Sequence, residues 1–148
     1  MKTLTVIDMQ EEFTAANCPD TIAEVKKLCR KARRNKWPII LVEYAGAHQT
    51  LEEIQDVVKG YGQAFTLTKN KDDGSDVISK FVAGKNLPDG VVACGVNTQF
   101  CVHDTVRGLL EKNHRVEVVK KACNGPTWKS TTPERYFALM ERHGAVLS

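Results

Sequence analysis

The stretch GVVACGVNTQFCVHDTVRGLLEKN, Gly90 to Asn113, decides the fold. Gly90 to Val96 is near-continuously apolar, the pattern of a strand buried on both faces. A glycine-containing turn follows. Phe100 to Asn113 then sets Val102, Val106, Leu109 and Leu110 on one helical face. A doubly buried strand feeding an amphipathic helix is half of a βαβ unit.

The same alternation runs outward in both directions. Upstream, Leu4 to Ile7 reads as a strand, and Thr21 to Lys36 as a helix with Ile22, Val25, Leu28 and Ala32 inward. Asp20 stands at its expected N-cap. Pro38 to Tyr44 is a second strand, Gln49 to Lys59 a helix closed by Gly60 and Gly62, Ala64 to Lys69 a third strand, and Ser75 to Gly84 a helix. Downstream, Val116 to Val119 is a strand, Thr132 to His143 a helix with Pro133 at N1, and Ala145 to Leu147 a final short strand. The pattern predicts one α/β domain over residues 1–148, a Rossmann-like three-layer sandwich. Its sheet should be mostly parallel, with five or six strands and helices on both faces.

Composition narrows the function classes. The 148 residues carry a formal net charge of +3, with 42% apolar and 26% charged residues. Such a balance calls for neither nucleic acid nor a membrane surface as partner. No apolar run approaches the ~18 residues of a membrane span. MKTLTVIDMQ, Met1 to Gln10, lacks the features of a signal peptide and reads as a first strand. The five cysteines (Cys18, Cys29, Cys94, Cys101 and Cys123) are odd in number and show no C-x-x-C pair. A disulfide framework or zinc ribbon is not expected, and a reducing, cytoplasmic setting is.

In parallel α/β sheets the functional crevice lies beyond the carboxyl ends of the strands. Asp8, Lys69 and Cys101 stand at such ends. Cys101 also opens a helix, where the dipole favours a thiolate and free N–H groups can hold an oxyanion. It could equally be a small buried hydrophobe. Cys94, inside an apolar strand, reads as core.

Two segments resemble the isochorismatase-like cysteine hydrolases. VIDMQEEF, Val6 to Phe13, is similar to their D-x-Q-x-x-F opening, and CGVNTQFCVHDT, Cys94 to Thr105, to their nucleophile motif. The resemblance implies an Asp-Lys-Cys triad that cleaves a C–N, amide-like bond of a small molecule through a thioester. Asp8 would be the general base, Cys101 the nucleophile, and the lysine would come from the strand between them. Lys69 fits that order, and Lys80, within the following helix, is the rival. By the same resemblance a cis peptide is expected at Val96–Asn97, with the N–H groups of Asn97 and Cys101 as oxyanion hole. Phe13, Tyr44 and Val96 would line the substrate pocket, with Trp128 a further wall candidate.

Nicotinamidases of this family carry a D-x-H metal motif. Here the region VEYAGAHQT, Val42 to Thr50, offers only Glu43 and His48. No metal and no cofactor are expected, and His48 reads as a loop residue. The family's acidic residue after strand five is missing, replaced by Lys121 and Ala122. The stretch Glu43 to Gly62 is short for a lid, so a second copy of the chain, as a homo-oligomer, is the expected partner. Two other function classes stay open: a non-catalytic binding or scaffold protein, and a nucleic-acid-binding module using the basic helix Lys26 to Lys36.

Overall fold

The structure is a computed structural model that describes residues 1–126 and 133–148. Among these residues six strands form one sheet: β1 (Thr3–Ile7), β2 (Ile39–Tyr44), β3 (Ala64–Lys69), β4 (Val91–Val96), β5 (Val116–Asn124) and β6 (Val146–Leu147). Their order is β3-β2-β1-β4-β5-β6, and every neighbouring pair is parallel. The chain winds outward from β1 to β3, then returns beside β1 as β4 and winds the other way. β1 and β4 therefore flank the topological switch point, where such sheets open a crevice.

Among the described residues five α-helices cover the sheet: α1 (Pro19–Arg34), α2 (Glu52–Val58), α3 (Ser75–Gly84), α4 (His103–Glu111) and α5 (Pro133–His143). Strand periodicity sorts the core into two layers. Leu4, Val6, Leu41, Val92 and Cys94 pack under α1 and α2 with Val25, Leu28 and Ile54. Ile7, Ile40, Val42, Val91 and Ala93 face the opposite way, against Ile78, Val106, Leu109, Phe137 and Met140. The sheet is the three-layer α/β sandwich that the alternation predicts.

Local differences have local causes. The N-cap of α1 is Cys18 and not Asp20, because Pro19 occupies the first helical position, which suits its missing N–H. Asp20 instead places its charge in the first turn. Strand β5 runs on to Asn124, past the charged Lys120 and Lys121. It bulges against β4 between Ala93 and Gly95, and beyond the bulge Cys123 and Asn124 pair with Gly95 and Val96, so β4 holds its far end, whereas β6 pairs only with Glu117 and Val118. A short 3-10 turn, Thr14–Asn17, leads into α1 and was not legible from periodicity.

Gly95 fixes how closely β1 and β4 approach. Its φ is +130°, and a Cβ there would sit 2.0 Å from the Ile7 carbonyl oxygen. Only glycine fits both the torsion and the space.

Candidate active site

Asp8 directly follows β1 in the left-handed region, φ 56°. Aspartate tolerates that conformation better than most residues, and such outliers gather at functional sites. Its N–H still bonds the Val42 carbonyl at 2.9 Å, so the chain leaves the sheet while anchored to β2. Gln10 completes the anchor. Its amide donates to the Tyr44 and His48 carbonyls at 3.1 and 2.7 Å and accepts from the Tyr44 N–H at 2.8 Å.

Lys69 ends β3, and its Nζ lies 3.1 Å from Asp8 Oδ2 with both side chains buried. The ammonium also donates to the Lys71 carbonyl at 3.0 Å and sits 4.1 Å from the Tyr44 ring centre. Lys80 is exposed on α3. Of the two lysines, the structure brings Lys69 to Asp8.

Cys101 lies in a π-helical turn, Thr98–Val102, that runs into α4. Its thiol is only 3% exposed and packs beside Asp8. Burial pushes the Cys101 thiol well up, with the Asp8 charge and hydrogen bond adding to it and Lys69 opposing. Burial also raises Asp8, against the pull of Lys69 and of the Cys101 thiol. Asp8 is thus held between the Lys69 ammonium, 3.1 Å from Oδ2, and the Cys101 thiol. A buried carboxylate beside a thiol is placed to take its proton.

The expected cis peptide at Val96–Asn97 is absent; no peptide bond among the described residues is cis. The reversal is made by Asn97 in the left-handed conformation, φ 61° and ψ 61°, which asparagine adopts at little cost. The Asn97 carbonyl accepts from Phe100 and Val102 and so starts the helical turn. Val96 does not line an open wall. Strand alternation turns it toward the α1 layer, where it is fully buried with Val92 and Cys94. Phe13 and Tyr44, in contrast, meet edge to face with ring centres 6.3 Å apart, and Tyr44 reaches the Lys69 ammonium. Trp128 lies outside the described residues.

The sequence missed Asp72 altogether and showed Thr105 only as the end of the nucleophile motif. Asp72 Oδ1 is 3.8 Å from the Cys101 thiol. It sits in a run of charged residues, NKDDG, that reads as a solvated loop; its one signal is its place just past a strand end. Thr105, fully buried, holds that loop. Its hydroxyl donates to the Asp72 carbonyl at 3.4 Å and accepts from the Gly74 N–H at 2.9 Å.

Glu43 and His48 do not converge on a metal. Glu43 accepts from both the N–H and the hydroxyl of Thr50, at 2.6 and 2.8 Å. His48 turns to Glu12 and Glu11, 2.6 and 3.0 Å away. Those three groups cluster within 4.8 Å, but all are exposed, and hydrogen bonds among themselves account for the cluster. The nicotinamidase arrangement therefore does not fit these residues. A cavity of about 870 Å³ lies elsewhere, between α2 and the edge of β3, and touches none of Asp8, Lys69 and Cys101. Among the described residues, no helix is long and apolar enough to cross a membrane.

Known proteins share this arrangement of chain. The isochorismatase domain-containing protein 2 of Xenopus laevis is 27% identical over 98% of this chain and 70% of its own length. The MAR1 ribonuclease of Caenorhabditis elegans superposes with a TM-score of 0.85 at 25% identity, covering 99% of this chain and 76% of that one. The N-carbamoylsarcosine amidase of Thermoplasma acidophilum gives 0.80 at 21% identity, over 99% and 95% of the two chains. Residues 2–147 match the isochorismatase domain throughout, and the chain belongs to the isochorismatase family.

Proposed function

We propose that this chain is a cysteine hydrolase that cleaves a C–N, amide-like bond of a small molecule, with Asp8, Lys69 and Cys101 as its catalytic groups. One observation carries the reading: a buried Asp8–Lys69 pair at 3.1 Å set beside the Cys101 thiol. Three residues from distant segments meet at the switch point of the sheet, and burying an ion pair there has no structural necessity.

The chemistry follows from the placement. Asp8 takes the Cys101 proton as the sulfur attacks the carbonyl carbon. The carbonyl π electrons move to oxygen, and the N–H groups of Asn97 and Cys101 hold the oxyanion. The C–N bond then breaks, with the nitrogen leaving on the proton from Asp8. Water attacks the resulting thioester, and Asp8 receives its proton. The C–S bond breaks, the carboxylic acid departs, and the proton returns to sulfur. Lys69 keeps Asp8 ionised between these transfers.

The basic helix does not serve this site. In a parallel α/β unit the helix runs back against the strands, so Arg30, Arg33 and Arg34 near the C-terminus of α1 lie toward the far end of the sheet. Arg33 bonds the Val57 carbonyl at 2.6 Å, and Lys26 faces Glu53 at 4.0 Å. These contacts favour a packing role over a nucleic-acid surface, although the MAR1 neighbour is named a ribonuclease.

The test is a panel of small amides and ureido compounds, scored for ammonia or amine release. Wild-type protein should turn over at least one member, and Cys101→Ala none. Equal release by both proteins would refute the reading.

A further inference from the structure

We propose that Asp72 selects substrates with a cationic group next to the scissile amide-like bond, such as a protonated amine or an amidinium. The inference rests on Cys101 being the nucleophile, as argued above.

Position comes first. Asp72 Oδ1 lies 3.8 Å from Cys101 Sγ, so any carbon that sulfur attacks comes within a few ångströms of this carboxylate. Asp72 is half-buried whereas Asp8, Lys69 and Cys101 are all buried, which places it on the solvent side of the site.

The backbone that carries this carboxylate is also held in place. Thr105 bonds the Asp72 carbonyl and the Gly74 N–H, and Asp73 Oδ1 accepts from the Ser75 N–H at 2.7 Å. The loop is thereby tied to the start of α3 and to α4. A Cβ on Gly74 would come within 3.0 Å of the Lys69 side chain, so the loop packs tightly on the lysine.

Charge supplies the chemical class. No ion pair reaches Asp72 among the described residues. Lys69 is engaged by Asp8 and the Lys71 carbonyl, and Lys71 lies 3.6 Å from Asp76. Among the described residues the site therefore holds two carboxylates against one ammonium. Moving the thiol proton to Asp8 leaves that balance unchanged, because one anion replaces another. One negative charge stays uncompensated beside the reacting sulfur at every step. Asp8, Lys69 and Cys101 are buried, so the imbalance acts on the sulfur more strongly than it would in bulk water. A substrate cation on Asp72 removes it and eases thiolate formation at the same moment, whereas an anionic substrate is repelled.

Three chloromethyl probes of similar size test this: chloroacetamidine (cationic), chloroacetamide (neutral) and chloroacetate (anionic). In each, an S–C bond forms as the C–Cl bond breaks, chloride leaves with the electron pair, and the thiol proton passes to Asp8 or buffer. Rates at Cys101 are read by peptide mass, which separates it from Cys18, and are divided by rates with a free small thiol. Wild type should favour the cationic over the anionic probe by at least tenfold. Asp72→Asn and Asp72→Ser should each lower that ratio about tenfold or more, and Asp72→Glu should retain most of it. Labelling of Cys101 with the same charge order in wild type and both neutral variants would overturn the selection by Asp72 alone. Failure of all three probes to label Cys101 in folded wild-type protein would overturn the nucleophile reading and this proposal with it.

Discussion

Lys69 Nζ stands 3.1 Å from Asp8 Oδ2, and neither side chain is more than 1% exposed. Each charge has the other as its main compensation. Removing one member strands a buried charge, at a cost of about 3–5 kcal/mol. Lys69→Met should lose that much stability in urea unfolding. The double variant Asp8→Asn with Lys69→Met should recover most of it while staying inactive. A single variant as stable as wild type would mean that the pair is not buried as described.

The same pair predicts how stability responds to acid. Asp8 is raised above its ordinary value of 3.8, chiefly by burial. The folded chain therefore holds a proton on Asp8 over a range where the unfolded chain has lost it. Stability from this group is fully present below the unfolded value and is lost as pH rises through the folded one. The stability difference between wild type and Asp8→Asn should thus shift against wild type as pH climbs from about 3.8 through that window. A shift in the opposite direction would show that Lys69 outweighs burial.

Gly95 gives a test of the switch point itself. With φ +130° and the Ile7 carbonyl 2.0 Å from any added Cβ, Gly95→Ala should force β1 and β4 apart. Gly84→Ala is the control, since nothing lies within 4 Å of its Cβ position. The first should unfold at markedly lower denaturant concentration or fail to accumulate as folded protein; the second should match or slightly exceed wild type. Equal stability of the two variants would contradict the close strand approach.

Much of this architecture was legible in the sequence because apolar periodicity is a direct record of burial. Ala64–Lys69 and Ser75–Gly84 are found with the bounds their patterns predict. The misses come from contacts that periodicity does not encode. Lys120 and Lys121 hide the second half of β5, whose far end is held by β4. Asp72 hides in a polar loop, and its importance comes from the fold bringing that loop to Cys101. The turn at Asn97 replaces the expected cis peptide with a left-handed residue, a choice made by local backbone geometry. The motif residues Gln10 and Thr105 were visible as pattern, but their work as backbone anchors emerges only from their hydrogen bonds.

His48 and Glu12 bear on the metal question. The hydrogen bond that His48 donates to the Glu12 carboxylate raises its imidazole above the ordinary value of 6.5. In Glu12→Gln, NMR titration should find His48 shifted back down. Chelators should leave hydrolysis and Cys101 alkylation unchanged, because the proposed chemistry runs through Asp8 and sulfur. Loss of activity on chelation, restored by zinc, would require a different account.

The central claim is that Asp8 acts as a base toward Cys101 and does not merely neighbour it. The two possibilities give opposite signs. As a charge, Asp8 raises the Cys101 thiol and suppresses the thiolate; as a base, it makes the sulfur reactive by taking its proton. The measurement is the alkylation rate of Cys101 by chloroacetamide at neutral pH in wild type and in Asp8→Asn. The account predicts a fall of about 10²–10⁴-fold in Asp8→Asn, the range for loss of a positioned base. A rate equal to or faster than wild type would show that Asp8 only repels the thiolate, and would contradict the account.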